Sequence, residues 1–376
     1  MTTHVFVVNE NTLKFHLEYL FAGTGAKDKQ SPFLASSNID YNATTERMLT
    51  GMIADISRIR IGDKVVFYLQ ATKDNPGMFF GMFKAVSNPF FNENDNNNYL
   101  KNLLNKGLSF RVLIEPDEVY AKGITEHEYL DSLKNKEHAY DLCWSLIYRK
   151  LKGNRGCTMI MDYEYDDLLL KLKEKNNNQI INSRYLTFDR INHEIVSGTN
   201  TNTYQGIQQS LDIKNRLVYK YNNNKAFETH LQAFICQNFD KPVLSNLLIM
   251  KPEIESWVGN EVSCGVGMQR IDVMLKQEDE ENVYIRLIEL KDEEPYENIL
   301  KQISWYLEWL SEYVLPHYSD KTIKVIPTII AKGALSQQLI DKYQQYNEDL
   351  HNDNISPLEY IGFSVSNNKL VFTKFL

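Results

Sequence analysis

Two acids and a lysine in the C-terminal half of the chain stand at spacings suited to hydrolysis. If Leu287-Ile288-Glu289-Leu290-Lys291 is a strand, its alternation sends Glu289 and Lys291 to one face and Ile288 and Leu290 to the other. Arg270-Ile271-Asp272-Val273 reads as a neighbouring strand, with Ile271, Val273 and Leu275 on the core face and Arg270, Asp272 and Met274 opposite. Pairing through the charged turn at residues 279–282 would bring Asp272 beside Glu289. Carboxylates that converge repel one another unless a cation lies between them, and hard oxygen ligands select Mg²⁺, with Mn²⁺ as a substitute. Such an ion polarises a phosphodiester and lowers the pKa of its bound water, while Lys291 would orient that water or stabilise the charge that develops. The acid-x-lysine spacing alone says little, because Asp212-Ile213-Lys214 repeats it. Context separates the two. Asp212 adjoins a polar segment, whereas Glu289 ends an apolar strand that follows an acid-bearing strand and precedes a helix.

The elements that must position these side chains are legible from residue 213 onward. Residues 226–238 place Phe227, Leu231, Phe234 and Ile235 at helical spacing, with Glu228 at the favoured acidic end. Val262 lies in a short strand, residues 270–275 and 284–290 form two more, and residues 297–314 form a helix carrying Gln302 and Tyr306 one turn apart. An apolar strand at 323–331, a helix at 335–346 and a hairpin turning at Asn367-Asn368 complete the order. That order calls for a mixed sheet with helices on both faces. Glu228, Arg270-Ile271-Asp272, Glu289-Leu290-Lys291 and Gln302-Ile303-Ser304-Trp305-Tyr306 together resemble the PD-(D/E)XK nuclease superfamily, and the Gln-x-x-x-Tyr pair is similar to that of its RecB-type branch. The resemblance covers roughly residues 215–335 and departs from the family pattern at Ile271, where the proline of the family name would stand. It implies a restriction-endonuclease-like fold and a Mg²⁺-dependent endonuclease. Asp272 and Glu289 would bind the metal, Glu228 would complete the acidic shell and Lys291 would assist the water. Gln302 and Tyr306 would contact DNA or position Lys291.

The N-terminal part reads as mixed α/β. Strands are expected at residues 5–8, 65–69, 78–86 and 110–114, rich in β-branched and aromatic residues, with helices at 45–59 and 125–133. The second helix opens with Thr125 followed three residues later by Glu128, the spacing of a capping box. Short strands separated by turns suggest a small barrel. Gly62-Asp63-Lys64-Val65-Val66-Phe67-Tyr68, Phe80 through Phe90 and Arg111-Val112-Leu113-Ile114 resemble the EVE domain of the PUA-like group, which implies a pocket for a flipped or unpaired modified base. Extruding a base costs a few kcal/mol, which stacking and edge hydrogen bonds must offset. Tyr68, Phe80 and Trp144 are the candidate pocket walls. Arg149, Lys152 and Arg155, within a run of four positive charges in residues 149–155, are candidate phosphate contacts. Lys214, Arg216, Lys220 and Lys225 form a second basic cluster just before Glu228.

The 376 residues exceed the usual size of one domain, about 150 residues, and divide as an EVE/PUA-like unit at 1–175, a polar linker at 176–212 and a nuclease-like unit at 213–376. The formal net charge is −8, so no chain-wide basic footprint exists and any nucleic-acid contact is local. Four scattered cysteines lack zinc-ligand spacing. No stretch approaches the roughly 18 apolar residues of a membrane span. The expected protein is therefore a cytoplasmic two-domain α/β endonuclease that acts on modified DNA, as a homodimer because two strands need two sites. The alternatives are a repair nuclease for branched, mismatched or single-stranded DNA, and a non-catalytic nucleic-acid-binding protein.

Overall fold

Strand alternation and helix capping organise the chain into two units with separate sheets. The computed structural model describes residues 1–25, 43–92, 99–141, 156–199, 202–264 and 269–376. Among them the first unit runs to Leu211 and the second from Asp212 to Leu376.

The first unit is built from β1 (Thr3–Val8), α1 (Glu10–Tyr19), β2 (Phe21–Thr24), α2 (Ala43–Ser57), β3 (Lys64–Leu69), β4 (Met78–Ala85), β5 (Phe90–Phe91), α3 (Lys101–Leu104), β6 (Phe110–Pro116), β7 (Ile124–Thr125), α4 (Glu126–Asp131), β8 (Cys157–Ile160), α5 (Asp162–Lys175), β9 (Leu186–Asp189), β10 (Glu194–Ser197) and β11 (Gln209–Ser210). Nine strands form one mixed sheet in the order β11-β5-β6-β4-β3-β1-β8, with β2 on β6 and β7 on β4. Only β1 and β3 pair in parallel; the other described pairs are antiparallel. Both Asn9 before α1 and Thr125 before α4 form reciprocal capping boxes, with Thr12 and Glu128 respectively.

The polar segment at 176–212 is not a linker. It carries the β9–β10 hairpin, and β11 extends the sheet by pairing with β5. Leu186, Phe188 and Ile195 alternate into the core, and the Asn176 side chain ties the segment to both the N–H and the C=O of Lys122. A composition dominated by Asn, Thr and Ser hid three well-placed apolar residues.

The second unit comprises α6 (Lys214–Asn222), α7 (Glu228–Asn238), α8 (Ser245–Leu248), β12 (Ser256–Cys264), β13 (Gln269–Glu278), β14 (Asn282–Lys291), α9 (Asn298–Tyr313), β15 (Thr322–Lys332), α10 (Gln337–Asp349), β16 (Glu359–Ser366) and β17 (Lys369–Lys374). Its six strands lie in chain order. The joints β14–β15 and β15–β16 are parallel and the rest antiparallel, so α9 and α10 serve as the crossovers that parallel neighbours require. Register sets Glu289, Ile329 and Tyr360 in one row across the sheet. Tyr343 of α10 packs on Tyr360, ring centroids 6.4 Å apart. Phe227 and Tyr221 pack on Phe363 at 5.6 and 5.4 Å. Tyr360 and Phe363 are an odd number of residues apart, so they face opposite ways and helices cover both faces. The closing hairpin turns through Asn367 and Asn368, at φ +50° and +57°, the left-handed pair of a type I′ turn.

Candidate active site

The β13–β14 ladder pairs Val273 with Ile288, and one step further Asp272 meets Glu289. The ladder opens at that step. The Leu290 N–H donates to Asp272 Oδ2 at 2.8 Å, so a side chain takes the place of a backbone acceptor. The Asp272 carbonyl accepts from Gln232 Nε2 of α7 at 3.0 Å, and the Arg270 carbonyl lies 2.8 Å from the Tyr306 hydroxyl of α9. On the β12 side Glu261 has φ +50° and directs its carboxylate to Arg270 Nη1 at 3.0 Å and Gln232 Nε2 at 3.2 Å. Buried backbone polar groups need partners, and around Asp272 side chains from two helices supply them.

Glu289 is only 2% exposed. Its Oε1 accepts from Lys291 Nζ at 2.6 Å and Gln302 Nε2 at 2.9 Å, and its Oε2 lies 3.0 Å from the Tyr306 hydroxyl. Gln302 Nε2 also donates to the Tyr306 oxygen. Lys291 Nζ donates to the Leu290 carbonyl at 2.8 Å and stands 3.9 Å from Glu228 Oε2. The start of α7, which carries Glu228, is tied to the segment after β14 by the Phe227 N–H, which donates to Asp292 Oδ2 at 3.2 Å. The group sits at the carboxyl end of β14, where open sheets with parallel strands bind their ligands.

Burial raises the Asp272 carboxyl well above its usual range, with repulsion from Glu289 and then Glu228 adding to it; the Leu290 N–H and Lys291 only partly offset these effects. Burial also raises Glu289, against the pull of Lys291, Tyr306 and Gln302. Lys291 is raised: burial works against its charge, but Glu289, Glu228 and Asp272 together outweigh that cost. Burial, then the Glu289 charge, raises the Tyr306 hydroxyl, which stays a neutral donor.

The donors suit a hard divalent ion in kind. They are carboxylate oxygens, and the repulsion from Glu289 and Glu228 that adds to the effect of burial at Asp272 is what a cation would relieve. Among the described residues no three carboxylate, imidazole or thiol groups are gathered into a ready-made cage. Asp272 and Glu289 are the facing pair, and the Lys291 ammonium stands between Glu289 and Glu228.

The sequence expectation for Tyr68 and Phe80 is corrected. Tyr68 is 3% and Phe80 0% exposed. Tyr68 donates to Glu126 and packs on Phe79 at 5.0 Å, while Phe80 packs on Phe188 at 5.7 Å; both are core side chains. Trp144, Arg149, Lys152 and Arg155 lie outside the described residues. Arg216 and Lys220 are buried, so the second basic cluster is not an open stripe. Asp212 accepts from the Lys214 N–H at 2.8 Å just ahead of α6, so the repeated acid-x-lysine spacing lies in a turn leading into a helix and not on a strand. Sequence reading missed Gln232 and Glu261. The available signal for Gln232 was an amide between Leu231 and Ala233 on a helix otherwise apolar at those positions.

No family model matches the chain, and no curated protein matches it. Solved structures that are similar include a hypothetical protein from Leishmania major, at 13% identity and TM-score 0.30 over 46% of this chain and 96% of that one. Human THYN1 protein, in complex with 5-methylcytosine-containing DNA, is similar at 10% identity and TM-score 0.28, over 46% of this chain and 98% of that one. A Pseudomonas syringae protein is similar at 12% identity and TM-score 0.26, over 45% and 98%. At such scores the chemistry of the site rests on its own side chains.

Proposed function

We propose that the second unit is a metal-dependent endonuclease and that the first unit directs it to DNA carrying a modified base. The observation that carries the nuclease reading is the facing pair Asp272 and Glu289, with Lys291 Nζ 2.6 Å from Glu289. Mg²⁺ or Mn²⁺ held by these two acids, with Glu228 nearby, would polarise the scissile phosphodiester and lower the pKa of the attacking water. Lys291 stays protonated in this acidic surrounding and is placed to orient that water or a non-bridging oxygen. Gln302 and Tyr306 fix the Glu289 rotamer from α9, so the carboxylate needs no reorganisation as charge develops. The Leu290 N–H fixes Asp272 in the same way.

The reader half is supported by the sequence resemblance to EVE domains in the first unit. Coupling a reader to a cleaving unit raises the local concentration of DNA at the site, so a weak reader suffices. Cutting both strands requires two such sites, which makes a homodimer on DNA the expected working form.

The test incubates the full chain with Mg²⁺ or Mn²⁺ and plasmids that are unmodified or contain 5-methylcytosine, 5-hydroxymethylcytosine or N6-methyladenine. Cleavage is expected on one modified plasmid, and Asp272→Ala should slow it by about 100-fold or more. Equal cleavage by Asp272→Ala, or none of any substrate, removes the nuclease reading. Cleavage indifferent to modification removes the reader alone.

A further inference from the structure

Beside the acidic site the second unit presents aromatic surface that folding has not buried. Tyr296 is 70% and Trp305 43% exposed, whereas Trp257 is 2% exposed and Trp309 is half-buried. Trp305 lies one turn beyond Gln302 on α9, so the two are surface neighbours on that helix, and Gln302 holds Glu289. Lys301, also exposed, sets its ammonium 5.1 Å from the Trp305 ring centroid, which adds a positive charge to the aromatic surface.

Tyr296 is presented by an anchored loop. Asp292 accepts from the Phe227 N–H, Glu294 accepts from the Ser336 N–H at 2.7 Å, and Glu297 pairs with Lys342. The Tyr296 carbonyl accepts the Ile299 N–H at 3.1 Å. These contacts hold the backbone, and Lys342 offsets the charge of Glu297, one of the four acids of residues 292–297.

We propose that Trp305 and Lys301 form a stacking subsite for an unpaired nucleobase of the DNA strand whose phosphodiester enters the Asp272–Glu289 site, with exposed Tyr296, nine residues earlier in the chain, offering a separate aromatic face to a neighbouring base. Aromatic faces beside a cation bind single strands with little regard to sequence, because every base offers a π-face. A base-paired nucleotide keeps its faces inside the stack, so the subsite selects unpaired or extruded bases. The inference rests on the nuclease reading of the neighbouring site and adds the state of the substrate beside the cut.

The test measures binding of a fluorescein-labelled 20-residue oligothymidylate, and of a blunt duplex of equal length, to the full chain in Ca²⁺ by anisotropy. Plasmid cleavage in Mg²⁺ is assayed on the same preparations. The oligothymidylate should bind more tightly than the duplex and quench tryptophan fluorescence. Trp305→Ala should weaken it by about 5- to 100-fold, Trp305→Phe should retain most of the affinity while losing the quench, and Tyr296→Ala should weaken it less. Absent oligothymidylate binding, or equal affinity in the wild type, Trp305→Ala and Tyr296→Ala, overturns the subsite even if plasmid is cut. Trp305-dependent binding with no cleavage by the wild type leaves the subsite standing and removes the nuclease reading.

Discussion

Asp272 sits where stability and chemistry oppose each other. Its folded-state pKa is raised by burial and by two neighbouring acids, so an ionised carboxylate here costs the folded state free energy; the cost is full above that raised value, shrinks as pH falls below it and is gone below the unfolded value of about 4. Asn at this position keeps an oxygen for the Leu290 N–H and removes the charge. Asp272→Asn should therefore stabilise the second unit in EDTA by about 1–2 kcal/mol, or roughly 2–8 °C in Tm, while abolishing cleavage. Added Mg²⁺ should raise the Tm of the wild type and leave the variant nearly unmoved, because a ligand stabilises only the state that binds it. Differential scanning calorimetry of both proteins with and without Mg²⁺ checks this; a less stable variant in EDTA would show that Asp272 is compensated. At this scale much of the site was legible. Alternation along residues 287–291 put Glu289 beside Lys291, and the turn at 279–282 put Asp272 beside Glu289. Gln232 and Glu261 were not legible, because their role depends on where the β13 ladder opens, which neither residue type nor spacing encodes.

At the scale of elements, periodicity served best where one face is apolar throughout. The strands β13, β14 and β15 and the helix α9 stand close to where alternation and helical spacing put them, and the Thr125–Glu128 box opens α4 as a capping signal should. Helix α1 escaped notice because a histidine interrupts its buried stripe of Leu13 and Leu17. His16 is fully buried, stacked on Phe67 at 5.4 Å and edge-on to Phe21 at 4.6 Å. Burial, and then the Arg111 charge, push its pKa down to about 3. The unfolded chain takes up this proton as pH falls below about 6.5, and the folded chain does not until about 3. Stability from His16 is thus fully present above 6.5 and shrinks by about 1.4 kcal/mol per pH unit below it, about 2 kcal/mol at pH 5. His4 is also lowered, chiefly by burial and against the pull of Asp63, and acts in the same direction. Urea denaturation at pH 7 and pH 5 should show His16→Leu losing less stability on acidification than the wild type by about 2 kcal/mol. An unchanged difference would mean that His16 takes up its proton without unfolding α1.

Across the whole molecule the net charge of −8 sets how a polyanion can approach. The candidate site adds three acids around one lysine. At about 6 Å and an effective dielectric near 20, each uncompensated carboxylate–phosphate pair costs roughly 3 kcal/mol, enough to keep DNA out of a metal-free site. A divalent ion reverses the local sign, so binding should depend on metal before any bond is cut. Affinity for a duplex oligonucleotide, measured by anisotropy at low ionic strength, should rise by about 10-fold or more when EDTA is replaced by Ca²⁺, and fall steeply with added NaCl. Asp272→Asn should bind more tightly than the wild type in EDTA and gain less from Ca²⁺, since it has lost both the repulsion and the ligand. Equal affinity in EDTA and Ca²⁺ for both proteins would place the DNA contact away from the acids, in the first unit alone, and would sever the proposed link between the charge of the second unit and its metal.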